Sequence, residues 1–465
     1  MKKLSLKIIA ATIDGAIVQG SAGLPITNVV VKPRRITPNA LLFDIRRRKQ
    51  DHSIDYHRNF PYALVTSRAH DFYGLGDNVT LVRVAKVSEA YWKFINFYRN
   101  LFAIPVIGVT GTCGKTTTKE MVKQILAGTY QTNATYKSYN ALFRNLNYLL
   151  EINDQTQAAV YEMGVAYPGD LKTASRYFQP QVGIITNIGI DHLQAFGSLE
   201  AYIKAKAELL EGLGPQGTVV LNGDDPNIRT IDLSNFKGKV CYFGFGEQCQ
   251  LQIVNVRHGN ANISCDLQYD GRPYRLVIPG HAEFNVYNAA AAIGATQAVG
   301  IKVADACARL STFQNVEKHF EFNPGINGST IIDDTWSTNP TSIEAALKLL
   351  KSFSQGKKSI AVLGKVSLLG SQSNHYHYQI GARCAALELD QLIVIGDGAD
   401  LIGHGALQNG MPPDRVAFCR DSDATYELLK NWLDPETIAL VKTSMLTSYS
   451  NLMAKLIVRN SDKKS

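Results

Sequence analysis

The run Val109-Thr110-Gly111-Thr112-Cys113-Gly114-Lys115-Thr116-Thr117-Thr118, entered from the apolar stretch Ile104-Pro105-Val106-Ile107, constrains this chain more than any other feature. It reads as a phosphate-binding turn between a strand and a helix. Glycines let backbone N–H groups curl around a polyphosphate, and the helix N-terminus adds positive potential. Lys115 can then reach the terminal phosphates and Thr116 can hold Mg²⁺. The strict pattern asks for Gly five residues before Gly114, but Val109 stands there and Gly108 lies one position early. The loop therefore belongs to a variant class. The other reading is a Gly/Thr turn that merely precedes a helix; Gly-Lys-Thr-Thr directly after a β-type run favours a nucleoside triphosphate site.

A chain of 465 residues exceeds what one core normally supports, so two to four compact units are expected. Hydrophobic residues at 45% against 19% charged exclude a disordered chain, and the apolar runs are too short to span a bilayer. Behind Met1-Lys2-Lys3, the stretch Leu4 to Val18 is interrupted by Lys7 and Asp14, which favours an amphipathic first helix over a signal peptide. Seven cysteines, at 113, 241, 249, 265, 307, 384 and 419, form no Cys-x-x-Cys pair. An odd count does not suit a disulfide framework and points to a reducing cytoplasm. The net charge of +8 is spread along the chain apart from Arg46-Arg47-Arg48-Lys49 and the tail Lys463-Lys464. Such a distribution reads as solvated surface, with no nucleic-acid or membrane partner expected.

Three units are expected. Residues 1–100 carry short strand-like runs at 28–31, 40–43 and 79–82, a small α/β domain. Residues 101–309 alternate strands at 106–109, 158–161, 182–186 and 218–221 with helices after Lys115 and over 199–213, the rhythm of a mainly parallel sheet wrapped by helices. From 310 to 465 the rhythm restarts with strands at 330–332, 359–363, 391–395 and 438–441 and a helix over 342–350, a Rossmann-like unit.

In an open α/β sheet, ligands gather beyond the carboxyl ends of the strands. There the chain offers Glu162, after Ala158-Ala159-Val160-Tyr161, and His192, after Ile184 to Asp191. With Thr116 they make a plausible set of Mg²⁺ ligands beside a triphosphate. Read alone, a histidine after a strand is more often a structural hydrogen-bonder, and Lys204 and Lys206 are ordinary exposed helix lysines.

Taken together the motifs resemble the ATP-dependent Mur ligases, the family that builds the peptide stem of peptidoglycan. The resemblance rests on Thr110-Gly111-Thr112-x-Gly114-Lys115-Thr116-Thr117, Tyr161-Glu162-Met163-Gly164, Thr186-Asn187-Ile188-Gly189-x-Asp191-His192-Leu193, Ala205-Lys206-Ala207-Glu208 and Leu221-Asn222-x-Asp224-Asp225, in the family's order and approximate spacing. Asn285 to Ala289 and Ile332 to Ser342 are similar to the branch that adds D-alanyl-D-alanine to a UDP-linked muramoyl tripeptide.

The resemblance implies three domains: the first for the acyl substrate, the central one for ATP, and the last for ATP and the incoming amine. It implies an acyl-phosphate route to an amide. ATP would be held by Thr110, Gly111, Thr112, Cys113, Gly114, Lys115, Thr116 and Thr117, with Asn288, His319, Asp334 and Asn339. Thr116, Glu162, His192 and Lys206 would serve Mg²⁺, and Lys115, His192 and Lys206 catalysis. Lys206 would carry a carbamate formed from CO₂, because an unmodified ammonium would repel the metal. Arg34, Asn140 and Lys442 would meet the substrates: a carboxylic acid, UDP-linked in the family, and an amino acid, dipeptide or other amine.

Departures from the branch cluster on substrate surfaces. Lys32-Pro33-Arg34 replaces Asp-Ser-Arg, and Gln50-Asp51-His52-Ser53 replaces an Asp-Gly-His segment. Asn140-Ala141 with Arg144 and Leu146 replaces Asn-Asn, Gly and Pro. His319 stands where an Arg usually meets the nucleotide, Leu363 to Gly370 lacks an Asp and a Glu, and Lys442-Thr443-Ser444-Met445 loses an Arg. Imidazole and thioether have no equivalent of the guanidinium fork, so a specialised ligase for another acid or amine is the alternative. A folylpolyglutamate-synthase-like ligase and a non-catalytic ATP-binding partner protein are further readings. Asp333 to Ser342 argues against the first, and the intact Lys115, Thr116, Glu162, His192 and Lys206 against the second.

Overall fold

In the computed structural model the strand Val106–Thr110 runs between Val182–Ile185 and Ala158–Glu162, parallel to both. The structure describes residues 1–45, 56–259, 261–444 and 449–458. Arg46 to Lys49, the Gln50 to Ser53 segment, Met445 and the Lys463-Lys464 tail lie outside them.

Residues 106–109 alternate between two cores. Val106 joins Tyr161, Ile185 and Leu209 on one face, and Ile107 and Val109 join Met121, Val160, Ile184 and Ala289 on the other. A strand buried on both faces must be apolar throughout, which is why Val-Ile-Gly-Val reads as a run rather than an alternation. From it the sheet grows outward both ways: to Thr132–Ala134 on one side, and through Thr218–Asn222, Lys239–Gly244 and Leu251–His258 on the other. Chain order reverses at Val106–Thr110, and this is where an open α/β sheet forms its crevice. Two antiparallel strands, Asn262–Tyr269 and Arg272–Pro279, extend the far edge. That hairpin was not among the expected elements. Its polar outer positions hide the strand period, and only the Asp270-Gly271 turn marks it.

The first sheet has the order Ala16–Gln19, Val79–Arg83, Tyr62–Thr66, Ala40–Phe43, Asn28–Val30. The expected single helix over Leu4 to Val18 is corrected here. The helix spans Leu6–Thr12, and the positive φ of Asp14 turns the chain into the edge strand Ala16–Gln19. The third sheet carries five parallel strands, with Glu321–Pro324 antiparallel at its edge. Its pairing of Asp333 with Val441 sets Asp334 beside Lys442. Among the described residues no helix is long and apolar enough to cross a membrane, and all seven cysteines are free.

The first sheet is bolted to the central one through the helix Val87–Asn100. Arg99, 3% exposed, donates from Nε to the Phe178 carbonyl at 2.8 Å, and from its two terminal nitrogens to Phe102 at 2.7 Å and Ile104 at 3.4 Å. No carboxylate pairs with it among the described residues, so the buried charge is solvated by carbonyl dipoles alone. Removing the fork leaves three acceptors short of a donor. Arg99→Ala is expected to cost about 3 kcal/mol, read as a lower urea midpoint by circular dichroism; an unchanged midpoint would show that water replaces the guanidinium without loss.

Candidate active site

The turn after Val106–Thr110 is held open by its neighbour strand. Asn187 Oδ1 accepts from the Cys113 N–H at 2.8 Å, while Asn187 Nδ2 and Thr186 Oγ1 donate to the Cys113 carbonyl at 3.0 and 2.6 Å. The Thr112 N–H donates to the Asn187 carbonyl at 2.9 Å. Gly111 (φ +146°) and Gly114 (φ +77°) supply conformations that L side chains rarely adopt. Gly114 is the N-cap of the helix Lys115–Ala127, so the first N–H groups of that helix are left for an anion.

Three side chains meet beyond the turn. Thr116 Oγ1 donates to Glu162 Oε2 at 2.9 Å, and Asn140 Nδ2 donates to Glu162 Oε1 at 2.6 Å. Glu162 is buried at the end of Ala158–Glu162. Lys119, fully buried, donates to the carbonyls of Thr135 and Lys137 at 2.9 and 2.8 Å, which fixes the loop carrying Asn140. Lys115 Nζ folds back onto the Thr112 carbonyl at 2.8 Å.

His192 adopts a left-handed backbone at φ +52° beside Asp191, its Nε2 3.9 Å from Asp191 Oδ2. Burial, helped by the Lys115 and Lys206 charges, lowers its pKa against the pull of Asp191, so a lone pair is present at neutral pH. Lys206 departs most from the generic expectation. Lys204 is indeed exposed and paired with Glu200, but Lys206 is 1% exposed. Its Nζ donates to the Gly111 carbonyl at 2.9 Å and Thr110 Oγ1 at 3.3 Å, and lies 5.0 Å from the Tyr202 ring centroid. Burial first, and then Lys115, push its pKa well below the usual lysine value.

The third sheet closes the site. Lys442, 1% exposed, donates to Asp334 Oδ2 at 2.6 Å and the Ser337 carbonyl at 3.0 Å. Asn339 caps the helix Pro340–Phe353 and reaches Asp191 Oδ2 at 3.4 Å, while Thr341 Oγ1 accepts from the Ile190 N–H at 2.9 Å. The result is a cavity of about 550 Å³ whose wall includes Phe243 and Tyr287 as well as Glu162 and Asn140.

Cys113, Gly114, Lys115, Thr116 and Thr117 line it, as do Thr112, Asn288, His319, Asp334, Asn339 and Lys442. Thr110, Gly111 and Lys206 lie beneath the turn and not on the cavity wall. Arg34 is exposed in a short turn of the first domain's sheet and is not among the residues lining the cavity. Trp336, Tyr202 and Asn187 are functional neighbours not singled out individually from sequence. Asn187 and Trp336 sit inside quoted motifs, whereas Tyr202 carries no signal beyond standing one helical turn before Lys206.

Among the described residues no three His, Cys, Asp or Glu side chains form a ready-made metal cage. Mg²⁺ does not require one, since it is held by one or two carboxylates together with phosphate oxygens and water. The Thr116–Glu162 oxygens at the phosphate turn fit that donor set.

The chain matches the family models described as Mur ligase middle domain, over residues 109–296, and Mur ligase, glutamate ligase domain, over 320–445. It is 28% identical over 381 residues to the UDP-N-acetylmuramoyl-tripeptide–D-alanyl-D-alanine ligase of Bacillus subtilis, covering 82% of each chain. To the Synechocystis enzyme of the same name it is 29% identical over 455 residues, covering 95% of this chain and 94% of that one. Among solved structures it is similar to MurF from Acinetobacter baumannii (TM-score 0.82, 24% identity, 98% of each chain). MurF ligase from Thermotoga maritima in complex with ADP is also similar (TM-score 0.78, 21% identity, 92% of this chain and 96% of that one).

A Cβ on Gly111 would overlap the Thr186 hydroxyl that holds the turn. Gly111→Ala is therefore expected to lower Mg·ATP affinity about 100-fold, from backbone strain and loss of the Thr186 bond. Calorimetric titration with Mg·ATP checks this, and an unchanged Kd would remove the turn from nucleotide binding.

Proposed function

Because the chain belongs to the Mur ligase family, we propose that it is an ATP-dependent ligase joining a carboxylic acid to an amine, with D-alanyl-D-alanine addition to a UDP-linked muramoyl tripeptide as the nearest named reaction. The observation that carries this reading is the Thr116–Glu162–Asn140 chain lying in one cavity with the Lys442–Asp334 pair of the third sheet. A nucleotide-binding turn alone could serve a hydrolase. A turn roofed by a second unit leaves room for two further substrates and shields a reactive acyl group from water.

In the proposed assignment residues 1–100 bind the acyl substrate, 101–309 bind ATP, and 310–465 contribute to ATP and amine. Lys115 and the amides of the turn stabilise the γ-phosphoryl group as the substrate carboxylate attacks it, releasing ADP. Asn140 orients that carboxylate beside Glu162. The amine then attacks the acyl carbon, loses a proton, and expels phosphate to leave the amide. Thr116, Glu162 and His192 would hold Mg²⁺, which supplies charge neutralisation along the phosphates.

Lys206 enters as a carbamate. Its burial and its depressed pKa favour a neutral amine able to capture CO₂, and the product is an anionic oxygen donor. A non-UDP acid is favoured as the second reading by the loop that carries Asn140. There Arg144 lies 4.8 Å from the Tyr139 ring centroid and 5.4 Å from that of Phe143, which is 67% exposed.

The direct test is phosphate release with ATP, Mg²⁺, UDP-linked muramoyl tripeptide and D-alanyl-D-alanine, then with other acids and amines. Lys115→Ala should lower the rate about 10²–10³-fold while circular dichroism stays unchanged; full turnover in the folded variant would refute the role of the turn. For Lys206, ¹³C-labelled bicarbonate should give a carbamate resonance in the wild type and none in Lys206→Ala. Identical spectra would exclude the modification.

A further inference from the structure

The loop that leaves the strand Lys358–Gly364 is held from beneath by a histidine of the following helix, Ser373–Ala386. His377 is 1% exposed, and its Nε2 accepts from the Val366 N–H at 3.0 Å. Because Nε2 accepts, the proton of the neutral ring is on Nδ1, which donates to the Ser373 carbonyl at 2.7 Å. Burial lowers the ring's pKa against the pull of the Ser373 bond, and the Lys365 charge adds to it, which keeps the Nε2 lone pair free for Val366. A leucine would fill much the same space. It would leave the Val366 N–H a buried donor without an acceptor, since that residue lies past the end of the strand and joins no ladder.

On both sides of Val366 the loop reaches the nucleotide cavity. The Lys365 carbonyl accepts from Thr338 Oγ1 at 3.5 Å, and the Leu368 carbonyl accepts from the Gln194 N–H at 2.9 Å. Thr338, Ser367 and Leu368 line the cavity, and Gln194 stands two residues after His192 in the short helix Leu193–Phe196. Val366 and Leu369 are buried in the core of the third sheet. Leu368 has φ +65°, and a non-glycine residue keeps left-handed backbone only where its surroundings over-determine it. Here they do so from two sides, His377 beneath and Gln194 across. No carboxylate occurs between Leu363 and Gly370, so what this loop offers the site is backbone shape and the Ser367 hydroxyl rather than charge.

We propose that His377 is a positioning residue for the ligase reaction: its bond to Val366 holds the loop 365–370 so that Leu368 docks on the start of the helix that follows His192, and the third sheet thereby meets the central one across the nucleotide cavity. The inference rests on the ligase reading. His377 acts through Val366 and Leu368 and not on a reacting atom. The seam has other ties, from Thr341 to Ile190 and from Asn339 to Asp191, so releasing the loop loosens the seam without parting the sheets. Turnover is then lost before nucleotide affinity.

The test compares His377→Leu, which keeps the bulk and removes the acceptor, with His377→Gln, whose amide oxygen can accept from Val366. Hydrogen exchange of the full chain, read by mass spectrometry, should be about tenfold faster in His377→Leu over 193–197 and 365–370 and unchanged over 391–395. Phosphate release with ATP, Mg²⁺, UDP-linked muramoyl tripeptide and D-alanyl-D-alanine should lose about tenfold in kcat, with KM for ATP within about twofold. His377→Gln should recover both exchange and kcat to within about threefold. Gly370→Ala disturbs the same contact with His377 intact, because its Cβ would lie 3.0 Å from Gln194 Cα at a backbone φ of +56°; it should speed exchange over 193–197 even where His377→Leu fails to fold. The proposal is overturned by unchanged exchange over 193–197 in a folded His377→Leu or in Gly370→Ala, by a His377→Gln that recovers nothing, or by exchange accelerated equally over 391–395, which would make His377 a stability residue only. The exchange measurements need no turnover, so a wild type that releases no phosphate refutes the ligase reading and is told apart from failure of the loop contact.

Discussion

The site depends on one tie: the grip of Thr186 and Asn187 on the backbone of Cys113. A phosphate turn must leave its amides unpaired for the ligand, which costs backbone hydrogen bonds that a helix or sheet would have made. The residues after the neighbouring strand, Thr186 and Asn187, supply the missing partners from their side chains. Gly189 extends the same contact, its N–H donating to Thr112 Oγ1 at 2.9 Å, and Asn222 Nδ2 steadies the Thr186 carbonyl at 3.1 Å. The Leu221 to Asp225 motif is thus supporting structure: Asp225 accepts from the Ile188 N–H at 2.9 Å, while Asp224 accepts from Tyr287 Oη at 2.9 Å.

Around that loop the protein buries an unusual set of lysines. Lys119, Lys206 and Lys442 are each 1% exposed or less, and removing an ammonium from water is expensive unless dipoles or a counter-charge replace the hydration. Each is handled differently. Lys119 is wrapped by carbonyls and Glu120, Lys442 has Asp334, and Lys206 has only Gly111, Thr110 and the face of Tyr202. Lys206 has no carboxylate partner of its own, and burial first, then the Lys115 charge, lowers its pKa well below the usual lysine value.

The third sheet reaches the turn through a helix start. Asn339 and Ser342 close a capping box, and the same turn presents Thr341 to Ile190 and Asn339 to Asp191. Gly189 is needed there because a Cβ would overlap Thr341. Cap and interface are one feature, so the segment Asp333 to Ser342 carries both helix initiation and the seam between the two sheets.

Much of this was legible in the residues. The apolar run 104–109, the glycines at 111 and 114, and the strands at 40–43 and 391–395 follow from period, burial and turn chemistry, which are local properties. Motifs around Glu162 and His192 could be placed at strand ends for the same reason. Other features were not local. That Lys206 is buried while Lys204 is exposed depends on which face of the helix Leu199–Gly212 meets the sheet, and Tyr202 acquires its role only there. Arg34 shares a motif with nothing in the cavity, because a sequence match carries no distance. The cavity wall at the phosphate turn joins residues near 115, 162, 288, 339 and 442, stretches that no spacing rule relates. The polyphosphate turn follows from residues 104–118 alone, since glycine φ freedom and a helix N-terminus are short-range physics. What surrounds that turn is not written locally, because burial and desolvation are set by packing between segments as much as hundreds of residues apart.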